Sequence, residues 1–181
     1  MIWIDEGAAG AEPVTLAEAK AHIRVDRADE DAGIAGFVRA ARETIEARTG
    51  LVLAKRRFRL CLESPGMADL ALTRRPTRVV VAARIFGEDG VPEDVDAATI
   101  RIAAGGSALR LPPALTGRNG RDIEIELDMG VPTVPDMLKL AVLHLVAVSY
   151  EMRGAAPAAM QPAVLPPLVR GLLAPYRRVG L

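Results

Sequence analysis

The stretch Pro132–Arg153, PTVPDMLKLAVLHLVAVSYEMR, constrains this chain more than any other. Thr133 or Asp136 can cap a helix there, and Pro135 suits a first helical turn, where a missing N–H costs nothing. From Met137 to Met152 almost every residue is apolar; Lys139, His144, Ser149 and Glu151 are the exceptions, and they do not gather into one broad polar face. A helix apolar nearly all round is expected to be buried, in a core or against a partner. The polar interruptions leave it short of the roughly 18 uninterrupted apolar residues of a membrane span. It is therefore expected to be the central helix around which the other elements pack.

Two amphipathic helices should precede it. In EPVTLAEAKAHIRVD, Thr15 and Glu18 have capping-box spacing, and Leu16, Ala19 and Ile23 share a face. This short helix should end near Arg24–Asp26. The acidic run Asp29, Glu30, Asp31 suits the start of a second helix. There Ile34, Phe37, Val38, Ala41 and Ile45 recur at three- and four-residue steps, with Arg39, Arg42, Glu43 and Glu46 on the other faces and Gly50 as the C-terminal cap.

Between these helices and the central one the period changes to two. Alternation predicts strands over Arg57–Glu63, Arg78–Phe86, Thr99–Ala103, Ala108–Leu111 and Arg121–Asp128, separated by Pro65-Gly66, Asp89-Gly90, Gly105-Gly106 and Asn119-Gly120. Short alternating strands with one wet face make an antiparallel sheet. Ile2-Trp3-Ile4 reads as a strand or as an arm on a neighbour. After the central helix, Gly154–Pro162 reads as a loop, and Val164–Leu173 as a last amphipathic helix that ends before Pro175. The expected fold is α+β: a bundle of about four helices with an inserted antiparallel β-sheet region. Its parts are 1–53, helical; 54–130, β-rich; 131–174, helical and completing the bundle; and 175–181, a tail.

Composition narrows the function. The chain has 181 residues, 23 basic and 23 acidic, and zero net charge, which argues against bulk attraction to nucleic acid or anionic lipid. Only Lys20, Lys55 and Lys139 are lysines; the Arg excess suggests a GC-rich genome. MIWIDEG lacks a basic n-region and a long apolar stretch, so a cytoplasmic site of synthesis is expected.

Catalytic and metal signals are weak. A single cysteine, Cys61, excludes an intramolecular disulfide and a cysteine cluster. His22 and His144 carry no metal-ligand spacing and read as ordinary packed or edge residues. Gly105-Gly106 fits a hairpin turn better than a phosphate cradle. Glu88–Asp96, EDGVPEDVD, has the charge of a calcium loop but not the spacing, and reads as a solvated loop. No catalytic, cofactor-binding or metal-ligating residue is therefore assigned. The basic clusters Lys55-Arg56-Arg57 with Arg59, and Arg74-Arg75 with Arg78, read as solvated strand faces or intersubunit ion pairs. A DNA-binding regulator built on the two N-terminal helices and a small hydrolase using Cys61 rank below a structural role. The tail, from Pro175 through Tyr176, Arg177, Arg178, Val179 and Gly180 to Leu181, offers an aromatic anchor, a charge pair and an apolar end.

Three blocks, in order, resemble the tailed-phage head–tail connector (adaptor) family in its longer form with a β insertion. They are EPVTLAEAKAHIRVD leading into AARETIEARTGLVL; Asp128–Gly154, with its Gly-x-Pro entry and Tyr-Glu-x-Arg end; and the closing LLAPYRRVGL. The resemblance implies a non-enzymatic neck protein without cofactors, encoded by a phage, a prophage or a gene-transfer particle. It implies a homo-oligomeric ring, typically of twelve, that binds the portal on one side and a stopper or tail terminator on the other, while DNA passes the lumen. It also implies a portal contact for Pro175–Leu181. A stopper or tail-completion protein is the alternative. A conduit for DNA should avoid tight phosphate contacts, so Arg57, Arg59 and Arg75 are expected to face protein rather than the channel.

Overall fold

The computed structural model describes residues 1–7, 10–63, 67–87, 89–116, 122–153 and 165–177. It is mixed α and β, and the chain divides into two units: Met1–Gly10 with Ala54–Val131, and Ala11–Leu53 with Pro132–Leu181.

The first unit is built on antiparallel strands. β1 (Ile2–Asp5), β2 (Arg56–Glu63), β4 (Thr77–Phe86), β5 (Pro92–Val95) and β8 (Asp122–Met129) form a five-stranded sheet in the order β1-β2-β8-β4-β5. β3 (Asp69–Ala71), β6 (Arg101–Ala103) and β7 (Ala108–Arg110) form a second sheet, ordered β3-β7-β6. A single turn of helix, α3, follows at Pro113–Thr116. The alternation places Phe58, Leu60 and Leu62 of β2 with Ile123, Ile125 and Leu127 of β8 on one buried face, since directly paired antiparallel residues share a face. The other face is charged.

The first ten residues depart from the expected division, which put them with the helical part. Ile2-Trp3-Ile4 is a strand. Trp3 pairs with Leu60, meets the Phe58 ring edge-on at 6.0 Å, and donates its indole N–H to Thr73 Oγ1 at 2.8 Å. Burying that indole against Phe58 while giving its N–H an acceptor ties β1 to this sheet. Two strands escaped the sequence pattern. β3 has only three residues. β5 lies inside the acidic stretch read as a solvated loop; it is a sheet edge, where Pro92 needs no ladder partner and Glu93 and Asp94 stay exposed. Thr99, expected to start a strand, instead ends a 3-10 turn, Ala97–Thr99, capped by Asp96. The expected turns at Pro65-Gly66 and Asn119-Gly120 lie outside the described residues.

Two glycines are needed for close approach. At Gly106 (φ +87°), on the turn between β6 and β7, a Cβ would lie 2.6 Å from the Thr77 carbonyl oxygen. At Gly130 (φ +137°), the Gly-x-Pro entry, a Cβ would lie 2.9 Å from Lys55 Cα. Both exclude any side chain.

The second unit contains α1 (Leu16–Ile23), α2 (Asp31–Thr49), α4 (Asp136–Glu151) and α5 (Pro167–Leu173), with a 3-10 turn at Ala174–Tyr176. α4 packs on α1, α2 and α5. The capping box forms: Glu18 N–H donates to Thr15 Oγ1 at 3.2 Å, and Thr15 N–H donates to Glu18 Oε2 at 2.7 Å. Hydrogen bonds from the Thr15 backbone, then its side chain, hold the Glu18 carboxyl below its ordinary pKa. A depressed folded value means this contribution is present above the ordinary carboxylate range, about 4.3, and is lost as pH falls through the lowered value. Glu18→Gln should therefore flatten the acid limb of a stability-versus-pH curve measured by denaturant unfolding. An unchanged limb would show that the cap does not titrate with folding.

α4 is less enclosed than its composition suggested. Leu138, Ala141, Val142 and Val146 are buried, most other positions are half-buried, and Met137 and Leu140 are exposed. No side chain caps it; Pro135 sits at its N-cap position. On α2 the difference runs the other way. Arg42 and Glu46, expected on polar faces, are 4% and 6% exposed. Arg42 donates to Glu46 at 3.1 Å and Glu12 at 2.8 Å, and also reaches Glu43 at 3.2 Å. Glu46 also accepts the Leu53 N–H at 2.7 Å. Paired this way, both charges tolerate burial.

Candidate assembly surface

The charged sheet face is an ion-pair ladder within one chain. Arg57 pairs with Asp128 at 2.9 Å, directly across β2 and β8. Arg59 pairs with Glu6 and lies 3.9 Å from Glu124. Arg84 meets Glu126 at 3.1 Å on the same face, whereas Arg56, on the Phe58 face, meets Asp5 at 2.7 Å. The cluster at Arg56, Arg57 and Arg59, for which intersubunit pairs had been an option, thus finds its carboxylates on neighbouring strands. Arg74 instead stacks its guanidinium over Phe58, 5.0 Å from the ring centroid.

Cys61 lies on this face beside Glu124, Sγ to Oε1 3.9 Å. Burial, then the Glu124 charge, pushes the thiol pKa up, which opposes thiolate formation. Both residues line a groove of about 480 Å³ at one end of the sheet, with Met1, Ile2, Phe86 and the carboxylates Glu63 and Asp122. Among the described residues that lining holds no histidine, lysine or arginine, the groups that would stabilise a thiolate. The two histidines meet each other rather than a ligand set: the His22 ring on α1 and the His144 ring on α4 are 5.5 Å apart and perpendicular. Among the described residues, no group of three His, Cys, Asp or Glu side chains could hold a metal ion, and no helix is long and apolar enough to cross a membrane.

The Tyr-Glu-x-Arg end of α4 has a structural task. Tyr150 Oη donates to Glu30 Oε2 at 2.5 Å, and Arg153 donates to Glu30 Oε1 at 3.1 Å. Arg153 also stacks 3.7 Å over the Tyr150 ring, while Arg27 donates to the same Glu30 oxygen at 2.6 Å. The motif fixes the start of α2 to the end of α4. Glu30 was legible in the sequence only as part of an acidic helix start, because Tyr150 and Arg153 lie more than a hundred residues away.

At the chain's end, the 3-10 turn leaves Pro175 and Arg177 exposed and Tyr176 half-buried. Arg178, Val179, Gly180 and Leu181, the rest of the expected portal contact, lie outside the described residues. Arg177 joins Arg48 of α2 and Arg170 of α5 around a shallow concavity with Leu165 and Leu173. No local pattern foretells this trio, since Arg48 and Arg170 are 122 positions apart.

Compensated charge, half-covered apolar helix and a basic concavity describe a protein that presents surfaces for assembly. The chain belongs to the head completion protein family, whose sequence model matches residues 12–179. It is a structural head–tail connector protein, as the family resemblance of its sequence implied. Solved structures agree along the whole chain. A chain from the neck of an empty gene transfer agent (GTA) particle, computed with C6 symmetry, matches with a TM-score of 0.82 and 28% identity, covering 100% of this chain and 97% of that one. Chains from the virion of a native GTA particle and from a native GTA neck computed with C12 symmetry each match with a TM-score of 0.79, at the same identity and coverage. No curated protein matches the chain.

Proposed function

We propose that this chain forms a rotationally symmetric ring in the neck of a tailed-phage or gene-transfer particle, joining the portal to a stopper or tail terminator while DNA passes the lumen. The observation that carries this reading is the full-length likeness to neck chains computed with sixfold and twelvefold symmetry. A ring of identical subunits needs only a heterologous interface that closes. The second unit, with α4 packed on α1, α2 and α5, then acts as a four-helix connector bundle. Exposed Met137 and Leu140 on α4 give it apolar surface for a neighbour to cover. The role requires no catalysis. The ion-paired sheet face supports a conduit that does not hold DNA, since Arg57 and Arg59 already have carboxylate partners.

The segment Pro175–Leu181 is the portal contact in this reading. It begins where Pro175 follows the end of α5, with exposed Arg177 and half-buried Tyr176 leading out of the helical unit. Deleting Pro175–Leu181 should weaken binding to the purified portal protein at least tenfold in biolayer interferometry and leave the far-UV circular dichroism unchanged. Undiminished portal binding by the truncated chain would remove the tail from the interface. Absence of portal binding by the full chain would point to a position further down the neck.

A further inference from the structure

The charges of the chain are balanced in number but not in place. Arg27, Arg42, Arg56, Arg57, Arg59, Arg84, Arg110 and Arg153 all meet carboxylates. Arg48, Arg170 and Arg177 meet none among the described residues, although they converge on one concavity. Its volume of about 50 Å³ is far too small for a drug-sized ligand but accommodates a carboxyl group. Leu165 and Leu173 supply an apolar wall beside the guanidinium groups. The matching chemistry is a carboxylate carried next to an aliphatic side chain on an exposed segment.

The first unit offers such a segment. β5 is an outer strand of its sheet, so among the described residues one of its edges has no strand partner. Glu93 and Asp94 lie on it, with Asp89 and Asp96 at its flanks and Val91, 57% exposed, just before it. The Asp94 side chain is 90% exposed and only 3.4 Å from Arg84, so it retains capacity for a second cation.

We propose that the concavity of Arg48, Arg170 and Arg177 receives the acidic edge strand β5 of a neighbouring copy. This rests on the ring reading above and specifies its subunit contact. Two different patches of opposite charge make a heterologous interface, the kind that propagates around an axis and closes. Guanidinium groups pair with carboxylates in a bidentate manner, and complementary charge fixes register and speeds encounter.

Charge reversal in the full chain tests this. The substitutions are Arg48→Glu with Arg170→Glu in one variant and Glu93→Lys with Asp94→Lys in another; Arg177 is kept because it belongs to the proposed portal segment. Ring formation, alone and on purified portal, is followed by mass photometry at low and high salt. Wild-type rings should weaken with salt, and each variant should need at least tenfold more protein to form them. Mixed one to one, the two variants should assemble again, because each concavity then meets a strand of opposite charge. If the lysine variant unfolds, Glu93→Gln with Asp94→Asn replaces it and should show the same loss when alone. Rings at wild-type concentrations from either variant, or no recovery in a mixture of folded charge-reversed chains, would overturn the contact and leave the ring reading standing. No wild-type ring in any condition would overturn both.

Discussion

Arg42→Ala is expected to destabilise the helical unit by about 3–5 kcal/mol, the cost of stripping one partner from a buried ion pair. Glu46 would remain with its charge almost wholly out of water, and Glu12 would lose the contact that fixes the segment before α1. Glu46 would keep the Leu53 N–H, which does not neutralise it. Urea unfolding followed by far-UV circular dichroism measures the loss. Replacing both members, Arg42→Met with Glu46→Leu, should recover most of it, because a buried pair exchanged for apolar side chains is often near neutral. A loss below about 1 kcal/mol for Arg42→Ala would place the pair with ordinary surface ion pairs.

Phe58→Ala should cost the β unit a similar amount, about 3–5 kcal/mol, as expected for emptying an aromatic site in a core. Phe58 is fully buried, with Trp3 at its edge and the guanidinium groups of Arg56 and Arg74 4.8 and 5.0 Å from its centroid. Its removal takes away the surface on which β1 docks. Trp3 is the chain's only tryptophan, so its emission reports the event directly. The spectrum should shift to the red at denaturant concentrations where the wild type is still folded. An unshifted spectrum with wild-type stability would mean that the ladder between β1 and β2 holds the strand without the aromatic contact.

The sequence showed much of this architecture where the signal was local. The capping box at Thr15, the αL glycine at Gly50 and the period-two runs of β2, β4 and β8 are all written in neighbouring residues. What it hid was decided by distant ones. Arg42 and Glu46 look like surface charges on a helical wheel, and only Glu12 and the Leu53 N–H explain their burial. β5 reads as loop because Pro, Glu and Asp are poor strand formers, and only its place at a sheet edge makes them tolerable. The arginine trio joins three segments that no periodicity connects. The family, by contrast, was legible, because the order of its blocks survives even where single motifs are diffuse.

The division of the chain has a mechanical consequence. The backbone passes from one unit to the other three times, near Gly10, Leu53 and Val131. The first two passages are tied together on both sides: Gly10 N–H donates to the Lys55 carbonyl at 2.8 Å in the β unit, and Glu12, Arg42, Glu46 and the Leu53 N–H form one cluster in the helical unit. The third leaves through Gly130, whose N–H donates to the Pro76 carbonyl at 3.0 Å and whose missing Cβ lets it lie against Lys55. A load pulling the units apart would therefore be divided among three peptide connections, each anchored within a residue or two of its crossing. Neither unit can therefore be cut out of the chain as a single uninterrupted piece.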